Sequence, residues 1–184
     1  NTIVVGCTGC SEVSTTVYPQ TAFRVPWIHV AFENAAAVAS GIESALKYKK
    51  EKTNVIVFAG DGGTADIGLQ SLSGALERGH DFTYICLDNS GYMNTGNQRS
   101  GSTEKYAATT TTPAGSITPG KLEWKKPLPQ IIAAHNIPYV ATATVAYPND
   151  LFNKVKKAIS IKGPKYIQVL SPWPSLWKHN SSLT

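Results

Sequence analysis

The chain has 184 residues, 42% of them hydrophobic and 16% charged, with a net charge of +5. That length and balance suit one globular domain with its own core and exclude a disordered chain. No apolar run is long enough to span a bilayer. Three cysteines (Cys7, Cys10 and Cys86) are too few for a disulfide scaffold and indicate a reducing compartment, the cytoplasm.

The positive charge suits an acidic partner. The basic residues are spread out, however, apart from "KYKK" and "KVKK", which read as solvated helix faces. No aromatic–basic module marks a nucleic-acid binder. Asn1 leads straight into "TIVVG" with no basic region before it and no initiating Met. The expectation is one domain, residues 1–184, forming part of a longer subunit.

"TIVVG" predicts the first strand, and Cys7 and Cys10 follow it as a C-x-x-C pair. Such a pair is a redox couple, half of a metal site, or only a turn. Residues 31–50 predict a helix rich in Ala with Lys at its end. "VIVFA" predicts a buried strand. Residues 66–79 predict a helix with Leu69, Leu72 and Leu76 on one face and Gly79 as its stop. "FTYICLD" is the next strand, with Cys86 a small core residue.

A polar segment then runs from Asn89 to Lys126. Within it, "RSGSTEKYAATTTTPAG" (residues 99–115) is too long for a mere connection and is expected to cover a cofactor or substrate. "PLPQIIAAHN" predicts a short helix, "YVATAT" a strand, residues 149–160 a helix, and "KYIQVLS" a closing strand. Strands alternating with helices predict an α/β fold, a doubly wound and mostly parallel sheet covered on both faces. Ligands in such folds bind beyond the carboxyl ends of the strands, at a switch point.

"VFAGDGGTADIG" lies at such an end. Glycines let the backbone approach a ligand and offer N–H groups to an anion. Asp61 would repel a bare phosphate, but Mg²⁺ binds carboxylate and phosphate oxygens together. The loop is therefore a metal–diphosphate site, or else a tight turn with Asp61 or Asp66 as a helix N-cap. The next strand ends in "LDNSGYMNTG", which puts Asn89 28 residues after Asp61. In adjacent parallel strands Asn89 can give an amide oxygen, and Gly91 a backbone carbonyl, to the same cation. Asn94, Thr95 and Gly96 lie within reach of a cofactor. His29, His135 and Arg99 are weaker candidates, with packing, capping or surface roles as alternatives. Glu33 reads equally well as a helix-dipole residue.

G-D-G followed by this Asn is the thiamine diphosphate motif. With "TGCSEV", "VPWIHVAFENAAAVASG", "DNSGYMNTGNQRS" and "GPKYIQVLSP" added, the chain resembles the β subunits of 2-oxoacid:ferredoxin oxidoreductases, the pyruvate form above all, over nearly its whole length. The resemblance implies a thiamine diphosphate-binding domain with Asp61, Asn89 and the Gly91 carbonyl on Mg²⁺. Gly60, Gly62 and Gly63 would lie along the diphosphate, and Gly9, Cys10 and Ser11 beside the thiazolium. Asn94 and Thr95 would lie near the reacting carbon, with Asn94 and Cys10 catalytic. Cys10 would also ligate a [4Fe–4S] cluster.

The implied reaction is oxidative decarboxylation of a 2-oxoacid, expected to be pyruvate, to acyl-coenzyme A and CO₂. Electrons would pass through iron–sulfur clusters to ferredoxin. An α-type subunit would supply the aminopyrimidine-binding domain and its glutamate, within a complex of several subunits. This chain departs from the family where a further cluster cysteine is expected in "SPCP": it reads "SPWPSLW", with Trp173 at that place. A cubane cluster needs four thiolates. Another 2-oxoacid, a non-oxidative decarboxylase subunit, and a subunit that holds cofactor without turnover are the alternatives.

Overall fold

The computed structural model describes residues 1–178. Six strands follow one another along the chain: β1 (Thr2–Cys7), β2 (Trp27–Val30), β3 (Asn54–Gly60), β4 (Thr83–Asp88), β5 (Tyr139–Thr144) and β6 (Lys165–Leu170). They form one sheet in the order β2–β1–β3–β4–β6–β5, and every pairing is parallel. Strand β3 shows why. Val55, Val57 and Ala59 are buried on one face, while Ile56 and Phe58 are half-buried on the other, so no side is left for water.

Helices α2 (Ala35–Lys49), α3 (Leu69–Glu77) and α4 (Leu128–Ala133) contribute to the larger core, with Leu46, Leu72, Leu76, Leu128, Ile132 and Tyr166 in one cluster. Helix α2 presents Ala35, Ala36 and Ala39 to the interior. These small side chains suit both helix propensity and close approach to the sheet. On the opposite face, α5 (Pro148–Ser160) places Ala158 among Ile85, Ile167 and Val169. Phe23 stacks on Trp27 and packs on Phe58.

Several boundaries differ from expectation. Helix α2 starts at Ala35, because residues 31–34 form a turn closed by the Asn34 N–H on the Ala31 carbonyl. The predicted helix over 66–79 is two elements: a π-helical turn, Gly63–Ile67, and then α3. Gly79 does stop the helix, with φ +70°. Strand β2 and the short helices α1 (Cys10–Thr15) and α6 (Pro174–Trp177) were not anticipated.

The polar segment beyond Asn89 contains only isolated bridges, Tyr92–Gln98 and Ala114–Pro119. It is nevertheless folded: Ser100, Ser102, Thr103 and Lys121 are buried, and Lys121 Nζ donates to the Thr103 carbonyl at 2.6 Å. Among the described residues no helix is long and apolar enough to cross a membrane.

The topology fixes where a site forms. From β1 the chain moves outward to β2, and β3 then returns to the other side of β1. The carboxyl ends of β1 and β3 flank this switch point, with β4 next to β3.

Candidate cofactor and metal site

A cavity of about 590 Å³ opens at the switch point. Thr8, Gly9, Cys10, Ser11 and Ser14 come from the end of β1 and from α1, and Gly60, Asp61 and Gly62 from the end of β3. Leu87, Asn89, Gly91, Tyr92, Met93, Asn94 and Thr95 follow β4, and Ser171 and Trp173 follow β6. Phe32 supplies an aromatic wall. A few polar groups on a largely apolar lining is the usual make-up of a cofactor site.

The sequence-predicted cofactor and metal residues meet here except Gly96 and Gly63, which do not line the cavity; Gly63 is buried. Its carbonyl accepts the Gly68 N–H at 2.8 Å and closes the π-turn. Such turns are frequent at functional sites. Gly60 lines the cavity with open space where a Cβ would stand, so any side chain there would enter the cradle. A Cβ on Gly62 would instead collide with the Tyr92 ring.

Asp61 is 1% exposed. Its Oδ2 accepts the Ser100 hydroxyl at 2.5 Å, and Oδ1 receives a long contact from the Asn89 backbone N–H at 3.4 Å. Among the described residues no Lys, Arg or His pairs with it. Burial, and then the nearby Asp88 carboxylate, push its acid up to about 7. Asp88 is itself satisfied, by Lys125 at 2.8 Å, Gln168 at 2.6 Å and the Ser90 N–H at 3.0 Å. The deficit of positive charge is thus confined to Asp61.

The Asn89 carboxamide points one of its two terminal atoms at Asp61 Oδ1, 3.0 Å away, and at the Gly91 carbonyl oxygen, 2.9 Å away. With nitrogen in that place, the amide donates to both. With oxygen there, three oxygens converge, an arrangement that a cation would relieve. Oxygens bound to Mg²⁺ at roughly 2.0–2.1 Å and at right angles lie about 2.9 Å apart. The two distances from the Asn89 terminal atom match that spacing. In the oxygen-inward orientation Nδ2 donates to Cys10 Sγ at 3.6 Å.

The donor set does not fit an iron–sulfur cluster among the described residues. Cys10 is the only thiol on the cavity, whereas Cys7 and Cys86 are buried in the core, where burial raises both thiols above their ordinary value. Trp173 lines the cavity where the resemblance calls for a thiolate.

The weaker candidates lie outside the cavity. His29 Nε2 bonds Thr8 Oγ1 at 2.9 Å, and His135 bridges Ser73 and the Ile131 carbonyl. Arg99 lines a separate, open hollow with Asp66, Tyr92 and Gln98. No residue from 96 to 126 lines the main cavity, so that segment is no lid over it. Instead it packs beside the Gly60–Gly63 loop. Tyr92 and Ser100, which touch Gly62 and Asp61, were missed from sequence because they reach the loop from an aperiodic stretch.

A cavity at a switch point, with a carboxylate, an amide and a carbonyl converging in it, has the form of a cofactor-binding domain. The chain belongs to the thiamine pyrophosphate enzymes: residues 6–169 match the family described as thiamine pyrophosphate enzyme, C-terminal TPP binding domain. It is similar to pyruvate synthase subunit PorB of Methanocaldococcus jannaschii, 60% identical over 96% of this chain and 62% of that one. Ketoisovalerate oxidoreductase subunit VorB of Pyrococcus abyssi is 50% identical over 96% of this chain and 59% of its own. The chain thus spans less than two thirds of the length of these relatives. A solved 2-oxoglutarate:ferredoxin oxidoreductase from Magnetococcus marinus shares the fold, with a TM-score of 0.82 at 22% identity over 95% of this chain and 55% of that one.

Proposed function

We propose that this chain is the diphosphate-binding part of a thiamine diphosphate-dependent 2-oxoacid:ferredoxin oxidoreductase that uses pyruvate. The carrying observation is the convergence of Asp61 Oδ1, the Asn89 amide and the Gly91 carbonyl at the switch point, with no cationic side chain among the described residues to satisfy it. Thiamine diphosphate, when bound, supplies the electron sink for decarboxylation of a 2-oxoacid.

The chain's own residues do the rest. Asp61, Asn89 and Gly91 would hold Mg²⁺ against the diphosphate, and Gly60, with open space where a Cβ would stand, would leave room for it, with Gly62 beside it in the loop. Gly9, Cys10 and Ser11 form the wall from β1, and Asn94 and Thr95 line the same cavity as polar groups for the reacting end. Phe32, Leu87 and Met93 exclude water there.

No glutamate lines the cavity among the described residues, which supports an α-type partner that brings the aminopyrimidine-activating carboxylate. Coenzyme A takes the acyl group and ferredoxin the electrons. Three free thiols support a reducing, cytoplasmic setting.

A second reading, decarboxylation without electron export, is favoured by the single open thiol and by Trp173. Reduction of a viologen dye by the assembled complex separates the two. The complex is given pyruvate, coenzyme A, thiamine diphosphate and Mg²⁺. Dye reduction that requires both pyruvate and coenzyme A is expected. CO₂ release without dye reduction would establish the second reading.

A further inference from the structure

The polar segment has one buried turn, Ser100–Thr103, and that turn is wedged against the metal loop. Ser100 is 1% exposed. Its Oγ accepts the Ser102 N–H at 3.1 Å, so its single proton is committed to Asp61 Oδ2, 2.5 Å away. The turn is itself fixed. Thr103 Oγ1 accepts the Ser100 N–H at 2.8 Å and donates to the Ser90 carbonyl at 2.6 Å. The Gly101 N–H donates to Asp66 Oδ2 at 2.9 Å, and a Cβ on Gly101 would strike the Asp66 carboxylate. Asp61 therefore cannot swing. One oxygen is occupied by a hydroxyl, and Oδ1 faces Asn89.

That arrangement has a chemical consequence. Ca²⁺ takes six to eight oxygens and commonly binds a carboxylate through both, whereas Mg²⁺ takes six in a strict octahedron, one per carboxylate. We propose that Ser100 is a positioning residue that confines Asp61 to single-oxygen coordination and so selects Mg²⁺ over larger divalent ions such as Ca²⁺. The inference rests on the metal–diphosphate reading of the site. Partners of this kind, one step removed from the metal, usually alter affinity by about 10- to 100-fold.

The test is calorimetric titration of Mg²⁺ and of Ca²⁺ into the assembled complex in excess thiamine diphosphate, for wild type, Ser100→Ala and Ser100→Thr. In Ser100→Ala, Mg²⁺ affinity should fall about 10- to 100-fold while Ca²⁺ affinity holds within about threefold. Ser100→Thr keeps the hydroxyl and should keep the wild-type preference. Ser100→Cys, a weaker donor of similar size, replaces the Ala variant if that variant does not assemble, with a smaller narrowing expected. Parallel loss for both ions, an unchanged preference in Ser100→Ala, or equal narrowing in Ala and Thr overturns the proposal. A wild-type complex that binds thiamine diphosphate without any divalent ion would instead remove the metal reading, whatever Ser100 does.

Discussion

Asp61 and Asp66 lie five residues apart on one short stretch of chain, and their surroundings are opposite. Both are drawn out of water, which alone raises a carboxyl. At Asp66 that penalty is overcome: Tyr92 Oη donates at 2.6 Å, Lys126 Nζ at 2.9 Å and the Gly101 N–H at 2.9 Å, and together they hold the carboxyl below its ordinary value. Asp61 has a serine and a distant N–H, and stays at about 7. The first carboxylate is finished by the protein and ties the polar segment to the loop. The second awaits charge from outside. A buried acid left in that state marks a site rather than a structural contact.

The sharpest way to break this contrast is Asp61→Asn. The fold should survive, because no protein cation loses its partner. Mg²⁺-dependent binding of thiamine diphosphate should fall by on the order of 100-fold or more, beyond the usual effect of a residue one step from the metal. Unchanged cofactor affinity with a native circular dichroism spectrum would end the assignment.

Next in size is the pH dependence of the metal-free protein. A carboxyl whose folded value, about 7, exceeds its ordinary 3.8 holds more protons in the folded state. Its contribution to stability is full below 3.8 and disappears as pH rises through about 7. The loss is on the order of 4 kcal/mol. Melting curves between pH 4 and 8 should show it in wild type and not in Asp61→Asn, and Mg²⁺ with thiamine diphosphate should reverse it. A wild-type slope that persists in the variant would assign it to another group.

Asp66→Ala should act the other way. It breaks a satisfied cluster and leaves Lys126 and Tyr92 without their acceptor, costing on the order of 2 kcal/mol, or roughly 4–8 °C in Tm. The Asp66 carboxyl is held low, so its contribution is present above the ordinary carboxyl range and lost as pH falls through its folded value. Acid should weaken wild type more than Asp66→Ala. The smallest effect concerns Trp177, whose Nε1–H donates to the Asn89 carbonyl at 3.0 Å. Trp177→Phe should weaken Mg²⁺ binding by no more than about tenfold, the worth of one hydrogen bond near the ligand.

Asp61 and Asn89 were legible in the sequence because each closes an apolar run. Two adjacent parallel strands then bring both ends to one edge with no further information. The β3 and β4 register, with Gly60 opposite Leu87, does this. The larger helices were legible from their apolar spacing, and Gly79 from its place just past the last turn. The π-turn at Gly63–Ile67 was not, because its side chains follow nearly the same spacing as an α-helix. Strand β2 has four residues at the sheet edge, too few for a pattern. Ser100 was invisible for a different reason. Its partner is 39 positions away, and the segment between them carries no period from which a contact can be projected.

The most direct test of the account is a calorimetric titration of thiamine diphosphate into the assembled wild-type and Asp61→Asn proteins, each with Mg²⁺ and with a chelator. Tight binding only where Mg²⁺ and Asp61 are both present is the predicted result. Equal binding in all four conditions would contradict it, because the convergence of Asp61, Asn89 and Gly91 would then hold no ion.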